Sequence, residues 1–453
     1  MLELIGPNGT TSDILSRRNC LKIGALGWGG LSLADLPNLH SHAAAATPGG
    51  RNDRAVILFW MAGGPSHLDT FDPKPDAPAE CRGPFSTIDT SVPGLRFTDQ
   101  LPMLARRADR CSIVRSLHHT LSVHDDASHW VQTGMPLPLA RQQGQKHPAQ
   151  SSIVAYARGA NVAGVPANVC IPEAYDSNKG FYQRAAQLGA AYDPVAGGGD
   201  PTLGNYKLPE FSLPAELTFD RIDDRRSLRD LLDGLARRVD ASPQVAALSE
   251  SQRLAYDLVT GPRAREAFDL GQESATLRDR YGRHFWGQSA LLARRLVEAG
   301  VTFVTINLYE ANVDWWDDHD SIEKNLRKRL PKFDQSLATL IDDLHDRGLS
   351  DRVLVAAFGE FGRTPRIDAK AGRGHWPDAM SALLSGGGLH MGQVVGSTTA
   401  DGGRPNDRPL APNDLLATTY HALGIDPERT FVDAQNRPVR FLDSGAPIRE
   451  LID

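Results

Sequence analysis

Four stretches of the 453-residue chain gather acids, histidines and arginines. The first is Gly63-Gly64-Pro65-Ser66-His67-Leu68-Asp69-Thr70-Phe71-Asp72. Its glycine pair permits close backbone approach, and Ser66, His67 and Asp69 are nucleophilic or ligating types. The second runs from His118-His119 through His124-Asp125-Asp126 to His129. The third is Asp314-Trp315-Trp316-Asp317-Asp318-His319-Asp320. The fourth is Gly359-Glu360-Phe361-Gly362-Arg363-Thr364-Pro365, with Gly374-His375-Trp376-Pro377 close behind. Carboxylates interleaved with histidines suit a divalent cation, because one supplies negative charge and the other a borderline donor to Zn, Mn or Fe. An arginine beside them suits phosphate or sulfate, whose oxygens match its forked donors. Together they point to metal-assisted attack on a phosphoryl or sulfuryl centre. Blander readings exist for each stretch. With 14 His and 55 acidic residues some adjacency is inevitable. The DDHD string also reads as an acidic helix N-terminus, and Trp315 and Trp316 as packing. GGPSHLD lacks the G-x-S-x-G elbow of a serine hydrolase.

These side chains need a scaffold. Ala55–Met61 (AVILFWM) is a continuous apolar run, which predicts a strand buried on both faces. Ser112–Leu117, Val301–Leu308, Arg352–Phe358 and Ser381–Ser385 read the same way. Phe333, Leu337, Leu340, Ile341 and Leu344 recur at helical spacing, as do Leu291, Leu292, Leu296 and Val297 before Gly300. Asn413 is placed to cap a helix through Leu423, with Gly424 to end it. Strands alternating with helices of this length predict an α/β fold: a doubly wound, mostly parallel sheet with helices on both faces. Each of the four stretches follows a predicted strand, and chemistry in such sheets sits at the carboxyl ends. Residues 193–216 are dense in Gly and Pro, and 226–281 is polar and helical; an insertion or cap is expected around 193–281.

A net charge of -6 and 23% charged residues exclude a basic nucleic-acid binder and an acidic disordered chain. No run reaches the ~18 apolar residues of a membrane span, so none is expected in the mature protein. Ser16-Arg17-Arg18-Asn19-Cys20-Leu21-Lys22, followed by a Gly/Ala/Leu-rich stretch and the Ala43–Ala46 run, resembles a twin-arginine export signal. Residues 1–46 are therefore expected to be a leader read by the twin-arginine machinery. Residues 47–453 would be one periplasmic or secreted domain. Cys81, Cys111 and Cys170 match no zinc spacing, and a disulfide among them is open in an oxidising compartment.

The strings GGPSHLDTFDPKP (63–75), WDDH (316–319), GEFGRTPRI (359–367), GRGHWP (372–377), SGGGLHMGQVVGST (385–398) and DLLATTYHALGID (414–426) span the chain. Together they resemble the exported bacterial family called domain of unknown function 1501, of the alkaline phosphatase and sulfatase superfamily. The resemblance implies an alkaline-phosphatase-like sheet with a metal-dependent hydrolytic site at its carboxyl edge. Residue by residue, it implies Asp317, His319, Glu360 and His375 as ligands of a divalent metal ion (Zn, Mn or Ca). The superfamily's first strand ends in metal-binding Asp, where this chain has Met61-Ala62-Gly63-Gly64; His67 or Asp69 would have to substitute. Its nucleophile lies ten residues before the glycine of a Thr-Gly pair, which falls on His124. No C-x-P-x-R sulfatase string is present, and Gly374 stands where the family usually has Asp. Two functions remain. One is hydrolysis of an anionic small-molecule or polysaccharide ester, phosphate or sulfate, with His124 or Ser66 as nucleophile or water-orienting group and Arg363 on the oxyanion. The other is non-catalytic binding of an anionic ligand such as a sulfated polysaccharide.

Overall fold

Strict alternation along Ala55–Trp60 sets the architecture. Ile57, Phe59 and Met61 enter one apolar core, while Val56, Leu58 and Trp60 enter another. Successive side chains of a strand point to opposite faces, so two cores mean a sheet covered on both sides. The computed structural model describes residues 53–140, 142, 144–174, 181–203, 206, 262–309, 315–433 and 435–453. The expected export leader lies outside them, as does most of the polar helical stretch.

Eight strands form the main sheet: β1 (Ala55–Trp60), β2 (Ser112–Leu117), β3 (Asn168–Ile171), β4 (Val195–Ala196), β5 (Phe303–Asn307), β6 (Val353–Phe358), β7 (Met380–Gly386) and β8 (Val394–Val395). Their order is β8-β2-β7-β6-β1-β5-β3-β4. Only β7 runs against its neighbours. The five strands expected from apolar runs all form. The short strands β3, β4 and β8 were not anticipated, since two to four residues carry too little pattern to read.

Five helices matter most here: α1 (His124–Thr133), α2 (Gln150–Arg158), α3 (Phe285–Ala299), α4 (Ile322–Asp346) and α5 (Pro412–Ala422). Helices α3 and α4 line one core, and α1, α2 and α5 contribute to the other. Gly300 ends α3 with φ +114°, which glycine adopts at no steric cost. Asn413 does not cap α5. The N-cap is Ala411 with Pro412 in the first turn, and Asp414 Oδ2 accepts from the Ala411 amide at 2.9 Å. Asn413 instead accepts from Trp130 Nε1 at 2.8 Å and donates to the Gly134 carbonyl at 2.9 Å, tying α5 to the end of α1. The described part of the expected insertion is no detached cap. Ala264, Phe268 and Tyr281 are buried in the core beside α3, and Tyr281 donates to Asp343 at 2.9 Å.

Strand register brings the four stretches together. Trp60 lies level with Asn307 on one side and Phe358 on the other. The segments after β1, β5 and β6 therefore leave from one edge. Because β7 is antiparallel and Met380 pairs with Leu117, the exit of β2 and the entry of β7 share that edge. It receives residues 61–72, 118–124, 315–320 and 359–379.

Candidate metal centre

Asp317 is the hub of this edge. Its Oδ1 lies 3.0 Å from His319 Nε2, 3.2 Å from His375 Nε2 and 2.5 Å from Arg363 Nη2. Its Oδ2 lies 3.3 Å from His124 Nε2. Donor atoms of His124, Asp317 and His375 all fall within 4.8 Å of one another. The Nε2 atoms of His319 and His375 are 2.9 Å apart. Two imidazoles on one metal at ~2.0–2.1 Å would stand at roughly such a spacing.

The tautomers suit a cation. His375 Nδ1 donates to the Ser122 carbonyl at 2.7 Å, which leaves the Nε2 lone pair facing the cluster. His124 Nδ1 sits 2.6 Å from Glu360 Oε1, while its buried Nε2 faces Asp317 Oδ2 at 3.3 Å. A carboxylate behind a histidine whose other nitrogen faces the site is a recurrent metal-site arrangement. The residues fit a divalent cation held by His124, Asp317 and His375, with His319 at its open side.

Protonation follows from the same contacts. Burial opposes charge on His124, but hydrogen bonds to Asp317 and Glu360 outweigh it and raise its pKa to about 9. Burial would likewise raise the Asp317 carboxyl. The close His124 and His375 rings and the Arg363 charge instead hold it well below the usual carboxylate range.

Several expected roles change. Glu360 was a candidate ligand, yet its carboxylate is buried behind His124 and also accepts from the Gly63 amide at 2.8 and 3.1 Å. It orients His124. His124 was a candidate nucleophile; both its ring nitrogens face carboxylates, and it stands with Asp317 and His375 in the group that could hold a metal ion. Arg363 was to bind the oxyanion, yet its side chain is 0% exposed and engages the carbonyls of Gly63, Gly64, Trp316 and Arg373 as well as Asp317. No substrate oxygen can reach it.

Ser66, His67 and Asp69 belong to a different network. Each is 1% exposed. Ser66 donates to Asp69 Oδ2 at 2.5 Å, and Arg373 pairs with the same oxygen at 2.8 Å. His67 Nε2 donates to the Gly402 carbonyl at 2.8 Å. Burial lowers the His67 pKa and keeps it neutral. The first stretch serves the site through its glycines: a methyl on Gly63 would lie 2.6 Å from the Asp317 amide nitrogen. His129 is also remote in role, donating to the Met135 carbonyl at 2.8 Å.

Sequence reasoning missed the part of His119, whose Nε2 donates to the Glu360 carbonyl at 2.7 Å and steadies the loop after β6. It also missed Phe361, whose ring packs 5.0 Å from His124 and 4.6 Å from His375. A hydrophobe between Glu360 and Arg363 was the available signal. Trp316 is packing, stacked on Trp286 at 5.8 Å, and Trp315 leans on His124 at 5.3 Å. Asp318 pairs with Arg329 at 2.8 Å, and residues 317–320 precede α4 without joining it.

The family profile described as "Protein of unknown function (DUF1501)" matches residues 53–452. The chain belongs to the DUF1501 family. None of the curated proteins compared matches this DUF1501 member. Among solved structures it is similar to the PsFucS1 sulfatase from Pseudoalteromonas sp., at 12% identity over 87% of this chain and 70% of that one, TM-score 0.38. It is similar to the phosphonate monoester hydrolase of Agrobacterium radiobacter at 14% identity, over 88% and 77%, TM-score 0.36. It is similar to the lipoteichoic acid synthase LtaP from Listeria monocytogenes at 10% identity, over 83% and 72%, TM-score 0.33. At this distance no residue role passes from them to the DUF1501 chain.

Proposed function

We propose that this protein is a metal-dependent hydrolase of phosphate or sulfate esters. The observation that carries the reading is the convergence of His124, Asp317 and His375 donor atoms within 4.8 Å at the carboxyl edge of the sheet. The resemblance of the surrounding strings to the alkaline phosphatase and sulfatase superfamily supports it. A bound divalent cation would polarise a phosphoryl or sulfuryl oxygen and make a water acidic enough to attack at neutral pH. Two imidazoles and one carboxylate suit zinc or manganese better than calcium, which takes six to eight oxygens. The chain's own groups supply the rest. Glu360 fixes the His124 ring, Ser122 fixes that of His375, and half-exposed His319 stands where it can exchange a proton with a leaving group. With Ser66 buried on Asp69 and His124 between carboxylates, water is the nucleophile this arrangement favours. The substrate side is proposed as an anionic small-molecule or polysaccharide ester, met in the periplasm or outside the cell after twin-arginine export.

The alternative is a relative that binds an anionic ligand without turnover. What favours it is that Ser66 and Arg363, the expected nucleophile and anion-binding groups, are both buried and engaged within the fold. Metal analysis of the purified protein, followed by aryl phosphate and aryl sulfate assays, separates the two readings. Hydrolysis predicts stoichiometric metal that is lost in Asp317→Ala and His375→Ala, together with their turnover. Metal without turnover of either ester supports binding alone. A metal-free protein with both variants unchanged would reject the hydrolase.

A further inference from the structure

We infer that Arg363 is the positioning residue that sets the metal affinity of the site, locking Asp317 to the turn after β1. The inference rests on the reading of Asp317 as a ligand. Arg363 leaves the loop after β6 and spreads its guanidinium over two other loops. Nε donates to the Gly64 carbonyl at 2.8 Å, while Nη2 reaches the carbonyls of Gly63 and Trp316 (3.1 Å to the latter) and Asp317 Oδ1 at 2.5 Å. Nη1 closes the set on the Arg373 carbonyl at 3.1 Å. Glu360, three residues earlier, holds the amide of the same Gly63. Both polar groups of residue 63 are therefore held by one short motif, GEFGR.

Geometry makes the arginine necessary. A guanidinium carries five donors in a fixed plane, and four of the acceptors here are carbonyls with no charge to attract a point cation. An ammonium on a lysine stem could satisfy Asp317 but not the loops together. With the fork in place, one Asp317 oxygen is tied to Arg363 and the carboxylate is held against His124, His319 and His375. Without it, the carboxylate and the 316–317 backbone lose their shared anchor. Outer-sphere partners of this type are worth ~10–100-fold in metal affinity.

Arg373 supplies the control. It lies in the same region, is also fully buried, and pairs with Asp69, touching none of the cluster through its side chain. The test is zinc affinity of the full-length metal-free protein by calorimetric titration, with crystal structures of the metal-free variants. Arg363→Met is expected to weaken zinc binding ~10–100-fold and to release the Asp317 carboxylate from His375. Arg373→Met is expected to lower stability while zinc affinity stays within about twofold. If Arg363→Met does not fold, Arg363→Gln, which keeps a donor for the loop carbonyls but no charge for Asp317, carries the same two readouts. Wild-type zinc affinity with Asp317 in place in the Arg363 variants would overturn the inference, as would an equal affinity loss in Arg373→Met. If the wild-type protein takes up neither zinc nor manganese, the functional reading fails. The position of Asp317 in the metal-free variant then decides the role of Arg363 by itself.

Discussion

His124 and Asp317 show how a short contact list turns into a pH dependence. The ordinary imidazole pKa of 6.5 is raised to about 9 in the folded, metal-free chain, against the opposing effect of burial. A raised folded-state value means that protonated His124 stabilises the fold fully below pH ~6.5. That contribution is lost as pH climbs through about 9. Zinc needs the same Nε2 lone pair, so its binding must expel this proton. Zinc affinity should therefore rise between pH 6.5 and 9 while metal-free stability falls. Titrations and melts at several pH values check both slopes. A flat affinity profile would mean that His124 is not a ligand. The candidate ligand types were legible in the sequence; their ranking was not. Glu360 and His124 are both plausible donors on paper, and only the 2.6 Å contact between them shows that one stands behind the other.

Strand ends and turns decide whether those donors meet. The turn at Gly63-Gly64 packs against the 316–317 backbone and the Phe361 ring, closely enough that side chains are excluded at both positions. Gly63 has φ +107°. Gly63→Ala therefore adds backbone strain and a contact with the Asp317 amide, and should cost ~1–3 kcal/mol with a loss of zinc affinity. Gly94 has φ +81° and open space around it, so Gly94→Ala should cost only the strain and leave zinc affinity unchanged. Urea melts and zinc titrations of the pair isolate the close approach. The long elements were readable because their apolar periodicity is dictated by burial on one or two faces. Asn413 shows the limit of that approach. It has the type of a cap, but Pro412 can start the helix without its amide, and the side chain is drawn to Trp130 and Gly134 instead.

At the scale of the whole molecule, the fold is expected not to depend on a metal. Two apolar cores flank the sheet, and the site occupies only its edge. Chelation should leave the protein folded, with a single melting transition. Zinc at a hundred times its Kd should then add ~2.7 kcal/mol, seen as a Tm that climbs with the logarithm of zinc concentration. Unfolding on chelation would contradict this division between core and edge. Cysteine chemistry adds nothing to the scaffold. Among the described residues Cys81, Cys111 and Cys170 are free, and burial raises the last two thiols to about 12. Among the described residues no helix is long and apolar enough to cross a membrane. The sequence by itself determined the α/β class, five of the eight strands and the chemical types gathered after them, because periodicity and composition are local properties. Tertiary structure alone decided which of those side chains share a site. Register levels the strand ends, and burial then assigns Ser66, His67 and Asp69 to a structural network and Arg363 to the inner side of the Asp317 cluster. Such assignments depend on which distant backbone carbonyl needs a donor, and no local pattern carries that information.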